Sequence, residues 1–256
     1  RHTPLHVLLN NRLVGHLHKA GSGAIGFQYD QSWLEWDHAL PISLSLPLRE
    51  DTYRGEPVVA VFENLLPDSD ALRRRVAEKV GAAGTDAYSL LAAIGRDCVG
   101  ALQFVSGDDV GHESSDAAVI KGEPLNDAAI ETLLNGLAQT PLGLTHDDAF
   151  RISMAGTQEK TALLRHKGKW HKPHGTTPTT HIFKKQIGRL PNGLDLSNSV
   201  ENEYYCLQLA AAFGLPVART DMYTFGNTCA LVIERFDRRW TKDKRLLRLP
   251  QEDCCQ

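Results

Sequence analysis

With 256 residues the chain can bury one large core or two modest ones, and 42% hydrophobic with 23% charged side chains excludes wholesale disorder, collagen and coiled coil. Its 28 basic and 31 acidic residues leave a net charge of −3, so no global field marks nucleic acid as a partner. Five cysteines without a C-x-x-C pair, no apolar run near the about 18 residues of a membrane span, and a start without a signal-peptide core lead us to expect a cytoplasmic protein with no membrane contact.

In chain order, HVLLNNRLVGHL reads as a β-hairpin turning at Asn10-Asn11, side chains that tolerate a left-handed backbone. In PISLSLPL, Ile42, Leu44 and Leu46 alternate with Ser43 and Ser45, the pattern of an edge strand bounded by prolines. NLLPDSDALRRRVAEKVG supplies Asp68, Ser69 or Asp70 as caps and Gly81 as the stop of a helix whose Arg73, Arg74 and Arg75 form a solvated face. The polar, Gly-punctuated stretch from Gly107 to Gly122 marks a subdomain boundary. After Asn126, Ile130, Leu133, Leu134 and Leu137 are spaced for an amphipathic helix. AFRISMAG, KTALLRHKGKWHKP (a hairpin through Lys167-Gly168) and THIFKKQI read as strands. SNSVENEYYCLQLAAAFGLP has Ser199 as N-cap, Glu201 and Glu203 in the first turn and Gly214 as terminator of a helix, and CALVIERFDRRW closes with an apolar strand that turns polar.

The second half therefore runs strand, Gly-containing turn, strand, strand with a lysine, helix with acidic residues near its start, apolar strand ending in Glu. That is the order of a protein-kinase N-lobe, in which backbone N–H groups of the glycine turn approach phosphate, the strand lysine neutralises it and a helix carboxylate orients the lysine. Lys184 or Lys185 would be the lysine, and Glu203 or Glu201 the carboxylate. The turn SMAGTQEK has one glycine and is neither a Walker A loop nor G-x-G-x-x-G.

FRISMAGTQEKTALL, TTPTTHIFK, NEYYCLQLA, ERFDRRW and RLPQED, with FENLLPDS and IGRDCVGALQF upstream, closely resemble the HipA family of bacterial serine/threonine kinases, the toxins of HipBA toxin–antitoxin modules. The resemblance runs from Leu5 onward and implies ATP and Mg²⁺ as cofactors. It places Ser153 where family members autophosphorylate, in an ATP-covering loop with Met154, Ala155, Gly156 and Lys160. It makes Lys184 the phosphate-binding lysine, Glu234 and Phe236 the hinge that receives adenine, Asp237 a ribose contact, and Gln251, Glu252 and Asp253 a run beside the nucleotide. The implied partners are a HipB-like antitoxin dimer, operator DNA through that antitoxin, and a protein substrate of the aminoacyl-tRNA synthetase class.

The catalytic Asp, the Asn and the metal-binding Asp of such kinases have no counterpart string here. The chain also begins at Arg1 and ends at QEDCCQ, so it reads as a piece of a longer protein that transfers no phosphate alone. The fold class expected is α+β: a β-rich subdomain over 1–106, a linker over 107–126 and an ATP-binding, kinase N-lobe-like region over 127–256, with the helical C-terminal kinase lobe missing. The alternative is a catalytically incomplete module that only binds nucleotide or antitoxin. His171 and His174 lack acidic or cysteine partners at ligand spacing and read as solvated. Ser153 lacks the G-x-S-x-G elbow of a hydrolase nucleophile. The seven basic residues from Arg235 to Arg248 read first as a solvated face and second as a phosphate or nucleic-acid contact.

Overall fold

The computed structural model describes residues 2–107, 119–146 and 149–254. β1 (Leu5–Leu9) and β2 (Arg12–Lys19) form the expected hairpin, and Asn10 (φ 48°) and Asn11 (φ 66°) both take the left-handed conformation its tight turn requires. With β3 (Ile25–Tyr29), β4 (Tyr53–Arg54) and β5 (Leu102–Ser106) they make an antiparallel sheet in the order β4-β3-β2-β1-β5. Beyond a single helical turn, α1 (Gln31–Leu34), come α2 (Glu56–Glu63), α3 (Asp70–Val80) and α4 (Ala87–Ile94), which share one core with that sheet. Its centre is aromatic: Phe62 lies with ring centroids 5.7 Å from both Phe27 and Phe104. Of the three cap candidates of α3 it is Ser69 whose side chain accepts from the Leu72 N–H, and Gly81 is left-handed at φ 68° as a stop requires.

The second half is a six-stranded antiparallel sheet in the order β12-β13-β9-β7-β8-β6. Its strands are β6 (Gly122–Leu125), β7 (Lys160–His166), β8 (Lys169–Pro173), β9 (His181–Lys185), β12 (Thr220–Phe225) and β13 (Thr228–Glu234). Two small ribbons, β10 (Gly188–Arg189) with β11 (Asp195–Leu196) and β14 (Arg238–Trp240) with β15 (Leu246–Arg248), sit beside it. α5 (Asp127–Asn135), capped by Asn126, lays Ile130 and Leu134 on one sheet face against Phe183, Phe225 and Val232. Ala162 and Ile182, on the other face, join the core of the first half. α6 (Ser199–Ala212) packs beside β12 and β13, with only Val200 fully buried.

Four expectations are corrected. PISLSLPL forms no strand: it is a chain of turns in which Ile42 and Leu46 are buried and Leu44 is exposed, because Leu46 N–H bonds Ser43 O and Ser45 N–H bonds Ser43 Oγ. AFRISMAG buries Phe150 and the run Ile152, Ser153 and Met154, but its backbone joins no ladder, and Ser153 N–H bonds Asp97 O in the α4–β5 loop. The N-cap of α6 is Asn198, since the Ser199 hydroxyl instead accepts from Ile187 N–H and donates to Gln186. The arginines of α3 do not share one solvated face: Arg74 is exposed, Arg73 binds Glu63 and the Pro67 carbonyl, and Arg75 reaches the Ala138 carbonyl. Of the 107–126 linker, residues 108–118 lie outside the described residues, and Gly122–Leu125 pairs with β8. No described helix is long and apolar enough to cross a membrane.

The two halves are joined by a buried ionic network that the reading of Arg235 to Arg248 as solvated missed. Arg235, Arg238 and Arg248 come from the second half and converge on Asp97, with guanidinium nitrogens 3.3, 2.8 and 3.0 Å from its oxygens. Asp237 joins them, 2.7 Å from Arg235 and 3.1 Å from Arg238, and accepts from Gly100 N–H. Thr179 donates its N–H and hydroxyl to Asp97. Burial opposes ionisation of Asp97, but Arg238, Arg248 and Arg235 outweigh it and hold the carboxyl well below the ordinary carboxylate range. Burial likewise pushes the thiol of neighbouring Cys98 up to about 12, so it stays protonated.

Removing one partner strands the others without water. Asp97→Ala is therefore expected to destabilise the protein by about 3–5 kcal/mol in denaturant unfolding. A carboxylate depressed in the folded state stabilises above its unfolded pKa, near about 3.9. The contribution of Asp97 is thus present at neutral pH and lost as pH falls below that value, and acid titration of the wild type against Asp97→Asn should show that difference.

Candidate functional site

The face of the second sheet turned toward the first half carries two lysines on adjacent strands. Lys160 on β7 and Lys184 on β9 are register partners across an antiparallel pair, so their side chains rise together. Like charges placed this way repel unless an anion lies between or above them. Lys184 Nζ is 2.7 Å from Glu203 Oε1, one turn into α6. Glu201 instead accepts from Gln186 Nε2 at 2.6 Å, and Lys185 has no ion pair among the described residues, so only Lys184 and Glu203 of the four candidates come together.

Above Lys160 passes the loop after Met154. Lys160 Nζ donates to Ala155 O at 2.6 Å, and Gly156 holds φ 97°, a conformation that side chains other than glycine rarely adopt. A Cβ at Gly156 would come within 2.6 Å of Lys160 Nζ, so the glycine lets the backbone lie directly on the ammonium. Burial, then the neighbouring Lys184 charge, lowers the Lys160 pKa from 10.5 to about 8. The carboxylates of Asp68, from FENLLPDS, and Glu203 oppose that shift, and Asp68 is a neighbour that sequence reasoning used only as a helix-cap candidate.

Ser153 is fully buried in this loop position, its hydroxyl donating to Leu65 O at 2.6 Å, and Met154 is buried beside it. Gln251, Glu252 and Asp253 line a cavity of about 100 Å³ walled on the loop side by Ala155. Glu252 is tied to the 41–46 turns through Ser43 Oγ (2.7 Å) and Leu44 N–H (3.1 Å). Glu234, the register partner of His181, belongs to the opposite sheet face from Lys184 and lies 3.5 Å from Arg219. Phe236 is 72% exposed at the strand end. Asp237 is corrected outright: buried with its carboxylate spent on Arg235, Arg238 and Gly100, it offers nothing to a ribose. His171 and His174 gather no ligand set, and no group of three or more metal-ligating side chains occurs among the described residues.

Two family models match the chain: the HipA N-terminal domain over residues 5–105 and the HipA-like C-terminal domain over residues 152–256. The chain belongs to the HipA family. It is 34% identical to Y4mE of Sinorhizobium fredii, a protein that carries a kinase name, over 98% of this chain and 58% of that one. It is 28% identical to the serine/threonine-protein kinase toxin HipA of Shewanella oneidensis, over 98% of this chain and 54% of that one. A chain in the solved complex of the Shewanella oneidensis MR-1 system, containing HipA, HipB and operator DNA, superposes with a TM-score of 0.71 at 27% identity, covering 95% of this chain and 53% of that one. The chain thus spans a little over half the length of these relatives.

The family match corrects the expected fold class. Residues 152–256 match the HipA-like C-terminal domain, which replaces the description of them as a separate kinase N-lobe-like region, and the fold is mixed α/β. The order strand, strand, helix, strand is common to many mixed folds and does not by itself say which domain it belongs to.

The depressed Lys160 gives a checkable pH dependence. Between about 8 and 10.5 the unfolded chain holds the proton that the folded chain has released, so unfolding free energy rises with pH across that window. Lys160→Met should flatten the rise in denaturant melts taken along a pH series.

Proposed function

We propose that the chain is the nucleotide-holding part of an ATP-dependent serine/threonine kinase toxin of a toxin–antitoxin module. The observation that carries the reading is the cross-strand pair Lys160 and Lys184 beneath the Gly156 loop, with Glu203 bound to Lys184. Two ammoniums side by side with one directly bonded carboxylate suit a polyphosphate, whose charge relieves their repulsion. Lys184, held by Glu203, grips the phosphate chain. Lys160 is protonated more fully once the anion is bound, and the Ser153–Gly156 backbone covers it. Exposed Phe236 offers an edge to adenine, and Glu234 contributes through its backbone because its side chain is on the other face. Among the described residues no group of three or more His, Cys, Asp or Glu side chains gathers to hold the Mg²⁺ that accompanies ATP.

In the transfer, the substrate hydroxyl oxygen bonds to the γ-phosphorus, the bond from that phosphorus to the β,γ-bridging oxygen breaks, ADP leaves with the electron pair, and the hydroxyl proton passes to solvent water. The lysines stabilise charge on the phosphate oxygens meanwhile. Ser153 is the proposed site of autophosphorylation. Its hydroxyl is fully buried and donates to Leu65 O, a place that leaves a dianionic phosphate no room and no proton to donate to that carbonyl, so the modified loop must leave this position. The protein substrate proposed is an aminoacyl-tRNA synthetase, and the partner a cytoplasmic HipB-like antitoxin dimer that brings the kinase to operator DNA. The complex of HipA, HipB and operator DNA supports that partnership by likeness.

Removing the Lys184 ammonium deletes a charge-assisted contact typically worth about 1.5–3 kcal/mol, so Lys184→Ala should bind ATP roughly 10- to 150-fold more weakly by calorimetry. An undiminished affinity defeats the reading. Because bound phosphate raises the Lys160 pKa, ATP binding near pH 8 should take up protons, seen as a binding enthalpy that changes with the ionisation enthalpy of the buffer and loses that dependence in Lys160→Met. Mass spectrometry of the full-length protein after incubation with Mg-ATP should find phosphate on Ser153, and phosphate mapped only to other residues defeats that assignment.

A further inference from the structure

The end of the second sheet where β7 and β13 finish and β9 begins, away from Lys160 and Lys184, carries a second feature that phosphate transfer does not use. The β7–β8 turn holds Lys167 (φ 49°) and Lys169 around Gly168, and the β14–β15 turn holds Lys242 and Lys244 (φ 65°). The two hairpins touch through His166 and Trp240, whose ring centroids are 5.4 Å apart with planes inclined by 30°. From Arg165 to Lys169 and Arg239 to Arg245 there are seven basic residues and one acid, Asp243, in a chain whose net charge is −3. Asp243 is already paired with Arg245 at 2.7 Å. Lys167, Lys169, Arg239, Lys242 and Lys244 have no acidic partner among the described residues.

Beside these turns opens a cleft of about 240 Å³ lined by Arg165, Thr180, His181, Glu234, Trp240 and the edges of the buried arginines. Trp240 is 40% exposed on its wall. We propose that this surface binds single-stranded RNA, with phosphates on the two lysine-bearing turns and an unpaired base against Trp240 in the cleft. An exposed indole serves a base only when the base is unstacked, which disfavours a duplex. Glu234 is the one carboxylate in the lining. It repels an acidic peptide, yet it accepts a hydrogen bond from a ribose 2′-hydroxyl, which separates RNA from DNA. Burial and the Arg165 charge push His181 down to about 4, so a neutral imidazole stands at the cleft for hydrogen bonding.

This inference does not rest on the kinase reading, and ATP affinity is the separate readout of that one. The test is fluorescence anisotropy of the whole chain with a labelled mixed-sequence RNA of about 12 nucleotides, the same sequence as single-stranded DNA, its DNA duplex, and a polyglutamate peptide. RNA should bind tightest and lose roughly a hundredfold in affinity between about 50 and 200 mM salt, as about five phosphate contacts give. Trp240→Leu should weaken RNA binding roughly tenfold with the salt slope kept. Lys167→Gln with Lys169→Gln should flatten the slope, and because these side chains sit on an exposed turn, this variant decides the matter if Trp240→Leu fails to fold. No RNA binding at the lowest salt, duplex or polyglutamate bound as tightly as RNA, or wild-type binding and slope in the lysine variant would each overturn the proposal.

Discussion

The carboxylate of Asp97 organises the junction of the two halves. It sits in the loop between α4 and β5, and three guanidiniums from the other end of the chain reach it together with Thr179. Three arginines facing two carboxylates leave a buried excess of one positive charge, and Arg238 is pushed down to about 10 by burial and by Arg235. Such a network is a weak source of net stability, because desolvation nearly cancels its attraction. What it provides is geometry: five ions and their hydrogen bonds are satisfied together in one arrangement, so the loop from Asp97 to Gly100 and the segment from Arg235 to Arg248 are located against each other. The Asp97 carbonyl then accepts from Ser153 N–H, so the loop over the lysines is registered by the same residue.

That registration bears on the chemistry of the site. Lys160 is buried beneath a glycine that allows backbone to lie on its ammonium, and Lys184 is its cross-strand neighbour. In the absence of phosphate, the Ala155 carbonyl is the nearest acceptor for Lys160, and a phosphate competes for the same donor. The loop position with Ser153 buried is thus held by one hydroxyl, one amide and one ammonium bond together with the burial of Ile152 and Met154. Those contacts are at the scale at which a charge change decides between two backbone positions.

The two faces of the second sheet carry different charge patterns because a strand alternates its side chains. On β9, Lys184 and Ile182 face the first half, and His181 and Phe183 face away. The face toward the first half brings lysines to a partly buried pair with a carboxylate at one end of β7 and β9, and at the other end of these strands Arg165, His181 and Trp240 surround an open cleft fringed by lysines. The basic segment after β13 divides in the same manner: Arg235, Arg238 and Arg248 turn inward to carboxylates, and Arg239, Lys242 and Lys244 stay in solvent.

Local chemistry was legible wherever a short segment decides its own conformation. The Asn10-Asn11 turn, the Ser69 cap and Gly81 stop, the Asn126 cap and the Lys167-Gly168 hairpin all follow from backbone preferences of a few residues. The family was legible from long motif strings in order, and of the lysines and carboxylates proposed beside it the structure pairs Lys184 with Glu203. Tertiary structure alone decided what depends on partners distant in sequence. PISLSLPL and AFRISMAG have the alternation of strands but find turn and loop acceptors, because a strand requires an edge to pair with and alternation records only burial. Glu203 was separated from Glu201 by the Gln186 bond, and Asp237 from a ribose role by Arg235. The inward turn of three arginines was invisible in a basic run, since a charge is buried only where an opposite charge waits, and Asp97 lies more than a hundred residues away.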